Sequence, residues 1–265
     1  MLDDGERRIS VDGHNLPRHT KLVDVSKGKI GSTGRILKAE ELVLAYDLDA
    51  QLWLALRIYQ GTKKLSLALP EIVAELRQNR GEGKGTLRFF FDKGGYKGQI
   101  FQVMAKMEDV HFYCPAVRYP DNVAQWEALT EDDFDPQPFV FDKHTHLPPE
   151  QQPVYRLADT EMRLNIWENG KAVDTVTLRA VAIHNPQGQK PAERWPVVYL
   201  TDDRQIDARE LANEFGDHWG QEFAHRIGKH DLCLDILPSG YTLTSWRDEY
   251  GQLQRQVEYD TTAFF

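Results

Sequence analysis

TLRFFFDKGG, residues 86–95, is a run of carbon-rich side chains that stops at a carboxylate and a glycine pair. A short, continuous apolar run bounded by turn residues is the pattern of a strand buried on both faces in the middle of a sheet. Asp92 then stands at the carboxyl end of a central strand, where open sheets carry their ligand sites. The residues on either side supply the rest of that sheet. Upstream, LSLALPEIVAELRQNR (65–80) has helical periodicity after Pro70, and GEGKG (81–85) closes it. Before the helix, LVLAYDLD (42–49) and LWLALRIY (52–59) form a hairpin. RRISVD (7–12) alternates polar and apolar and is expected to end as a strand at Asp12, with residues 13–35, rich in Gly, Lys and Ser, as a mobile or ligand-ordered loop.

Downstream, GGYKGQIFQVMAKM starts a second helix and VHFYCPAV (110–117) is another strand. From 118 to 194 proline becomes frequent and helical periodicity vanishes. MRLNIWENGKAVDTVTLRAVAI reads there as a hairpin around Asn169-Gly170. WPVVYLTDD (195–203) returns to a buried strand, and a helix is expected over 207–230. The order predicts an α/β fold, a mixed sheet flanked by helices. Three regions are expected: 1–117 as the first part of the core, 118–194 as a β-rich insertion, and 195–265 as the last core strand, the helix after it and a tail.

At 265 residues the chain can bury a full core. Hydrophobic content of 41% and charged content of 28% are those of a water-exposed globular protein, and no apolar run reaches the ~18 residues of a membrane span. The charged start MLDDGERRIS is no signal peptide, and Cys114 and Cys233 make no disulfide framework, so a cytoplasmic location is expected. A net charge of −9 argues against a protein that coats nucleic acid with its whole surface. A local basic strip remains compatible with it. TEDDFDPQPFVFD (130–142) carries part of the excess and is expected as an acidic surface loop.

The helix EFGDHWGQEFAHRIGKH (214–230) holds the second carboxylate of interest. At about 100° per residue, Leu211, Phe215, His218, Trp219, Glu222, Arg226 and Lys229 share roughly one 100° arc. Its apolar members mark that arc as the packed side, where a carboxylate must be neutralised. Either a divalent cation or an ion pair with Lys229 or Arg226 does so. Asp12, Asp92 and Glu222 together would offer the oxygen ligands that Mg²⁺ or Mn²⁺ prefers. Two such ions about 4 Å apart can activate a hydroxyl and stabilise a leaving oxygen. Each position also has an ordinary reading, a strand-end Asp as a helix cap and Gly94-Gly95 as a turn. Asp202 and Asp203 either substitute as ligands or cap the next helix. GEGKG lacks the ending of a phosphate-binding loop, and His144-x-His146 has no evident third ligand.

VDGHNLP around Asp12, FFFDKGGY around Asp92, and LTDD followed by HWGQEFAHRIGKHDLCLDILP resemble, in this order, the three blocks of bacterial insertion-sequence transposases of the Asp-Asp-Glu class. One branch carries a Tyr-x2-Arg-x3-Glu-x6-Lys signature. The same spacing here holds Phe215, His218, Glu222 and Lys229, so Glu and Lys match while Tyr is Phe and Arg is His. The resemblance implies a ribonuclease-H-like core that hydrolyses phosphodiesters at element ends and transfers the freed strand into a target, as a homodimer on double-stranded DNA. It implies Asp12, Asp92 and Glu222 as catalytic metal ligands for Mg²⁺ or Mn²⁺, and Lys229, His218, Lys93 and Phe215 on the DNA side. His14 would flank the site. A His is mostly neutral at pH 7 and cannot replace the permanent fork of an Arg. Only eleven residues precede Asp12, where the family carries a DNA-binding region, so a truncated element acting as a DNA- or partner-binding regulator is the alternative, with a related metal-dependent nuclease beside it.

Overall fold

The computed structural model describes residues 5–17, 27–29, 36–60, 65–80, 84–216, 241–247 and 253–259. In chain order the strands and helices are β1 (Arg7–Pro17), β2 (Lys27–Lys29), β3 (Ile36–Asp47), β4 (Leu52–Gln60), α1 (Leu65–Arg80), β5 (Leu87–Phe91), α2 (Gly98–Met104) and β6 (Val110–Pro115). They continue as α3 (Pro120–Glu127), β7 (Arg156–Glu168), β8 (Lys171–His184), α4 (Pro191–Arg194), β9 (Val197–Thr201), α5 (Ala208–Gly216), β10 (Tyr241–Arg247) and β11 (Leu253–Tyr259).

The large sheet has the order β2-β3-β1-β5-β6-β9-β8-β7, with β4 also on β3. β5 pairs parallel with β1 on one side and with β6 on the other. β9, β8 and β7 then extend the sheet with antiparallel pairings. A β3 hairpin beside β1, followed by parallel β5 and β6, is a ribonuclease-H-like strand order. The segment between β6 and β9 supplies the β7–β8 hairpin, whose turn residues Asn169 (φ 49°) and Gly170 (φ 76°) take the left-handed backbone that such a turn needs.

Two compact units divide the chain: Met1–Gly13, Val43–Arg57 and Lys63–Gly220 make one, and His14–Leu42, Ile58–Thr62 and Gln221–Phe265 the other. The second contains the β2–β3 pairing and the antiparallel β10–β11 hairpin. The first contains the core. Strand alternation sends Phe91 and Phe112 to one face, where Phe101 of α2 stacks on Phe112 at 4.7 Å. It sends Phe90 and Tyr113 to the other, where they cluster with Tyr199, Leu211, Ala212 and Phe215 under α5. Burying each large side chain contributes ~1.5–3 kcal/mol. Among the described residues no helix is long and apolar enough to cross a membrane.

Three local expectations are corrected. β1 does not stop at Asp12 but runs to Pro17, with β3 beside it, so residues 13–17 are strand and not loop. α1 begins at Leu65, five residues before Pro70. Leu65, Ala68, Leu69, Ile72, Val73 and Leu76 form a single buried stripe, and that burial outweighs the donor the proline lacks. The acidic loop is only half a surface loop. Glu131, Asp132, Asp133 and Asp142 are exposed, but Asp135 is half-buried against Arg209, Phe139 and Phe141 are buried in the α5-side cluster, and Phe139 bridges Tyr155.

Candidate active site

The β1–β5 register pairs Arg7 with Leu87 and proceeds residue by residue to Val11 with Phe91. The next positions along both strands are Asp12 and Asp92. Asp92 lies just past β5 with extended backbone (φ −75°, ψ −177°) and caps the turn at Lys93–Gly95. Neighbouring strands lie about 4.8 Å apart, and register partners in a parallel pair point to the same side. Val11 and Phe91 are both 0% exposed, and an aspartate follows directly after each of them. Two carboxylates far apart in the sequence thereby each follow the last register pair of two adjacent parallel strands.

Each aspartate is held by backbone. Asp12 is half-buried, and its Oδ1 accepts the N–H of Gly13 at 2.7 Å. Asp92 is exposed, and its Oδ1 accepts the N–H of Gly94 at 2.7 Å, capping the turn at Lys93–Gly95. Behind it, burial and then the Asp92 charge push the Cys114 thiol well up, so it stays protonated and donates to the Asp92 carbonyl at 3.5 Å. Gly94 and Gly95 serve this turn directly. A Cβ on Gly94 would stand 2.8 Å from Asp92 Oδ1, and one on Gly95 would stand 2.3 Å from the Phe91 ring. Gly95→Ala is therefore expected to cost ~1–3 kcal/mol through overpacking, read from urea unfolding against the parent.

Lys93 follows Asp92 and is exposed. Phe215 does not face a ligand: it is 5% exposed, stacked on Tyr199 at 4.2 Å and edge-on to Phe90 at 5.5 Å. Its place on the DNA side is corrected to core packing, because a ring enclosed by two others has no face left for a phosphate. The apolar arc read from the sequence is packed as far as Phe215. His14 has no described side chain, and His218, Glu222 and Lys229 lie outside the described residues, as does Cys233. The aromatics of the tail likewise have no described side chains. Among the described residues no three His, Cys, Asp or Glu side chains gather as a metal-ligand set.

A polar network that pattern reading missed seats α5. Arg8 spans two elements: its Nε and Nη2 donate to Asp49 at 2.8 and 2.6 Å, and its Nη1 to Glu214 of α5 at 3.1 Å. Asp203 is 1% exposed and accepts from the Tyr113 hydroxyl at 2.6 Å and from the Gln205 and Ile206 amides at 2.7 and 3.3 Å. Arg179 donates to the carbonyls of Asp203 and Ile206 and pairs with Asp159 through two hydrogen bonds. Asp202 accepts from the Phe112 amide at 2.9 Å and meets His111 Nδ1 at 3.1 Å. Asp202 and Asp203 are thus committed at the amino ends of β5 and β6, and Asp207 is the residue that caps α5, through Arg209 and Glu210. The only sequence signal was an acidic pair directly after a buried strand.

The Asp202 contact, outweighing desolvation, raises the His111 pKa above 6.5. The stability it contributes is complete below the ordinary histidine value and fades as pH rises through the folded value. His111→Gln is expected to flatten the fall in urea-unfolding stability between about pH 6 and pH 8.

No family model matches the chain, and no curated protein matches its sequence. Solved structures similar to it include a piggyBac transposase in a synaptic complex with hairpin DNA, at 10% identity and a TM-score of 0.48 over 84% of this chain. The chain spans 40% of the length of that transposase. The NurA nuclease of Sulfolobus solfataricus is similar at 10% identity over 87% of this chain and 85% of its own, with a TM-score of 0.32. Endonuclease V of Ciona intestinalis, bound to inosine-containing DNA, is similar at 9% identity over 83% of this chain and 87% of its own, with a TM-score of 0.26.

Proposed function

We propose that this chain is the catalytic core of a DNA transposase of the Asp-Asp-Glu class, which hydrolyses a phosphodiester and passes the freed 3′-hydroxyl to a second duplex. The observation that supports the reading is the parallel β1–β5 register, whose last pair, Val11 and Phe91, is followed directly by Asp12 and Asp92. The donors there are carboxylate oxygens, the right chemistry for Mg²⁺ or Mn²⁺, and Asp92 is open to solvent. Asp12 and Asp92 would hold the cation, and Glu222 joins them in the proposal from its sequence spacing to Lys229. A bound divalent cation would supply Lewis-acid polarisation of the phosphate and a more acidic attacking hydroxyl.

The chain's own residues then position and neutralise. Backbone amides fix one oxygen of each aspartate, so the carboxylates are oriented before substrate arrives. Lys93 and Lys229 are the cations proposed to meet the DNA backbone, with His218 in a supporting role. In the hydrolytic step a water oxygen bonds to phosphorus as the P–O3′ bond breaks, water giving up one proton and the departing 3′-oxygen taking one up. In the joining step that 3′-hydroxyl oxygen bonds to a target phosphorus, losing its proton, as a target P–O3′ bond breaks and its oxygen is protonated.

Incubation with supercoiled plasmid and a labelled duplex tests the reading. Nicking in Mg²⁺ or Mn²⁺ but not in EDTA, with label joined to plasmid, is the expected result. Cutting without joining would leave a metal-dependent nuclease. No cutting in either metal would favour a DNA-binding regulator, the reading that the His at 218 supports.

A further inference from the structure

A cavity of about 440 Å³ lies among the first turns of α2 and α3 and the strand β7. It is as large as many small-molecule sites. Tyr96, Tyr119 and Trp167 line it together with Lys97 and Arg163. Tyr119 is 55% exposed and Trp167 54%, so two large rings stand open at one cavity. Tyr96 is set deeper, edge-on to Tyr119 at 5.9 Å, and its hydroxyl accepts from the Asn122 amide at 2.7 Å.

The walls are fixed. The β7–β8 register shifts between Ile166 and Trp167, an irregularity of the kind that re-aims a side chain. Gln99 donates to the Trp167 carbonyl at 2.7 Å. The Gln125 amide closes the outer edge of β7 by accepting from the Arg163 N–H at 2.8 Å and donating to its carbonyl at 2.9 Å. An added strand is therefore not what the open rings await at that point. The lining's carboxylate, Asp121, accepts from Asn165 at 3.3 Å, while Lys97 and Arg163 bring positive charge to the cavity of a chain whose net charge is −9. Aromatic faces beside cations are the features that hold unpaired bases, whatever their sequence.

We propose that this cavity holds an unpaired base of single-stranded DNA, stacked on the open aromatics with its phosphates met by Lys97 and Arg163. The inference rests on the DNA-processing reading above and adds a strand contact to it. Neither Asp12 nor Asp92 lines this cavity, so the contact is separate from the carboxylates.

Anisotropy of a labelled oligothymidine of about eight nucleotides, titrated in EDTA so that nothing is cut, tests this directly. Saturable binding is expected, weakened about tenfold or more by Trp167→Ala and by Tyr119→Ala and kept by Trp167→Phe. Both residues are surface-exposed, and thermal unfolding checks that each variant is folded. Absence of saturable binding by the parent, or alanine variants that bind as the parent does, would overturn the proposal. The Asp92→Asn protein separates the two ideas: oligothymidine binding with nicking lost supports the cavity independently, and a parent that nicks plasmid without binding the oligonucleotide refutes the cavity alone.

Discussion

Asp92→Asn is expected to abolish metal-dependent nicking while leaving the fold intact. The asparagine keeps an Oδ1 that can accept the Gly94 amide, so the cap at Lys93–Gly95 survives. Cap exchanges between Asp and Asn are nearly neutral, and the thermal midpoint should move by no more than about 1–2 °C. What is lost is the negative charge that follows the last β1–β5 register pair. If that charge holds a cation that stabilises the transition state by several kcal/mol, the rate falls ~10³-fold or more. Plasmid nicking, followed alongside thermal unfolding, reads both halves. A variant that nicks at the parent rate removes Asp92 from the reaction.

The second large effect is on stability and lies away from the carboxylate pair. Asp203→Ala is expected to cost ~3–5 kcal/mol, because it strips the partner from the Tyr113 hydroxyl and from two amides in a site 1% exposed. Burial alone would raise the Asp203 pKa, but the Tyr113 hydroxyl, the Gln205 and Ile206 amides and nearby His111 outweigh it and hold the carboxyl below 3.8. The folded protein therefore binds the proton less readily than the unfolded chain. That contribution is present above about pH 4 and is lost as pH falls through the lower folded value. Urea unfolding at neutral pH and near pH 3 should show the parent losing this contribution and Asp203→Ala lacking it throughout. An alanine variant as stable as the parent would mean that the network does not hold the start of α5.

Much of the fold was legible because the core is locally consistent. FFF at 89–91 is buried on both faces, and the Asn169-Gly170 turn has the backbone that its residues favour. The misread segments were those decided by distant partners. Residues 13–17 have no strand pattern of their own and are strand beside β3. Pro70 reads locally as a boundary until the buried stripe of α1 is seen whole. Phe139 and Phe141 sit in an acidic stretch and are buried because β7 and α5 give them a core to enter.

The candidate site was legible in part for the same reason. Asp12 and Asp92 each follow an apolar strand pattern, and that signal is local. That both follow the same register pair, Val11 and Phe91, appears only when β1 and β5 pair. Phe215 was read from a signature spacing as a DNA-side residue, yet the same periodicity that placed it on the packed arc also foretold its burial. The Arg8, Arg179 and Asp203 network left almost no trace in the sequence, since its partners lie on different strands and single charged residues have no periodicity.

Free Mn²⁺, followed by its paramagnetic resonance signal during titration into the protein, tests most directly whether Asp12 and Asp92 form a cation site. Saturable removal of the signal by the parent, lost in both Asp12→Asn and Asp92→Asn, is the predicted result. Equal uptake of Mn²⁺ by the parent and both variants would contradict it.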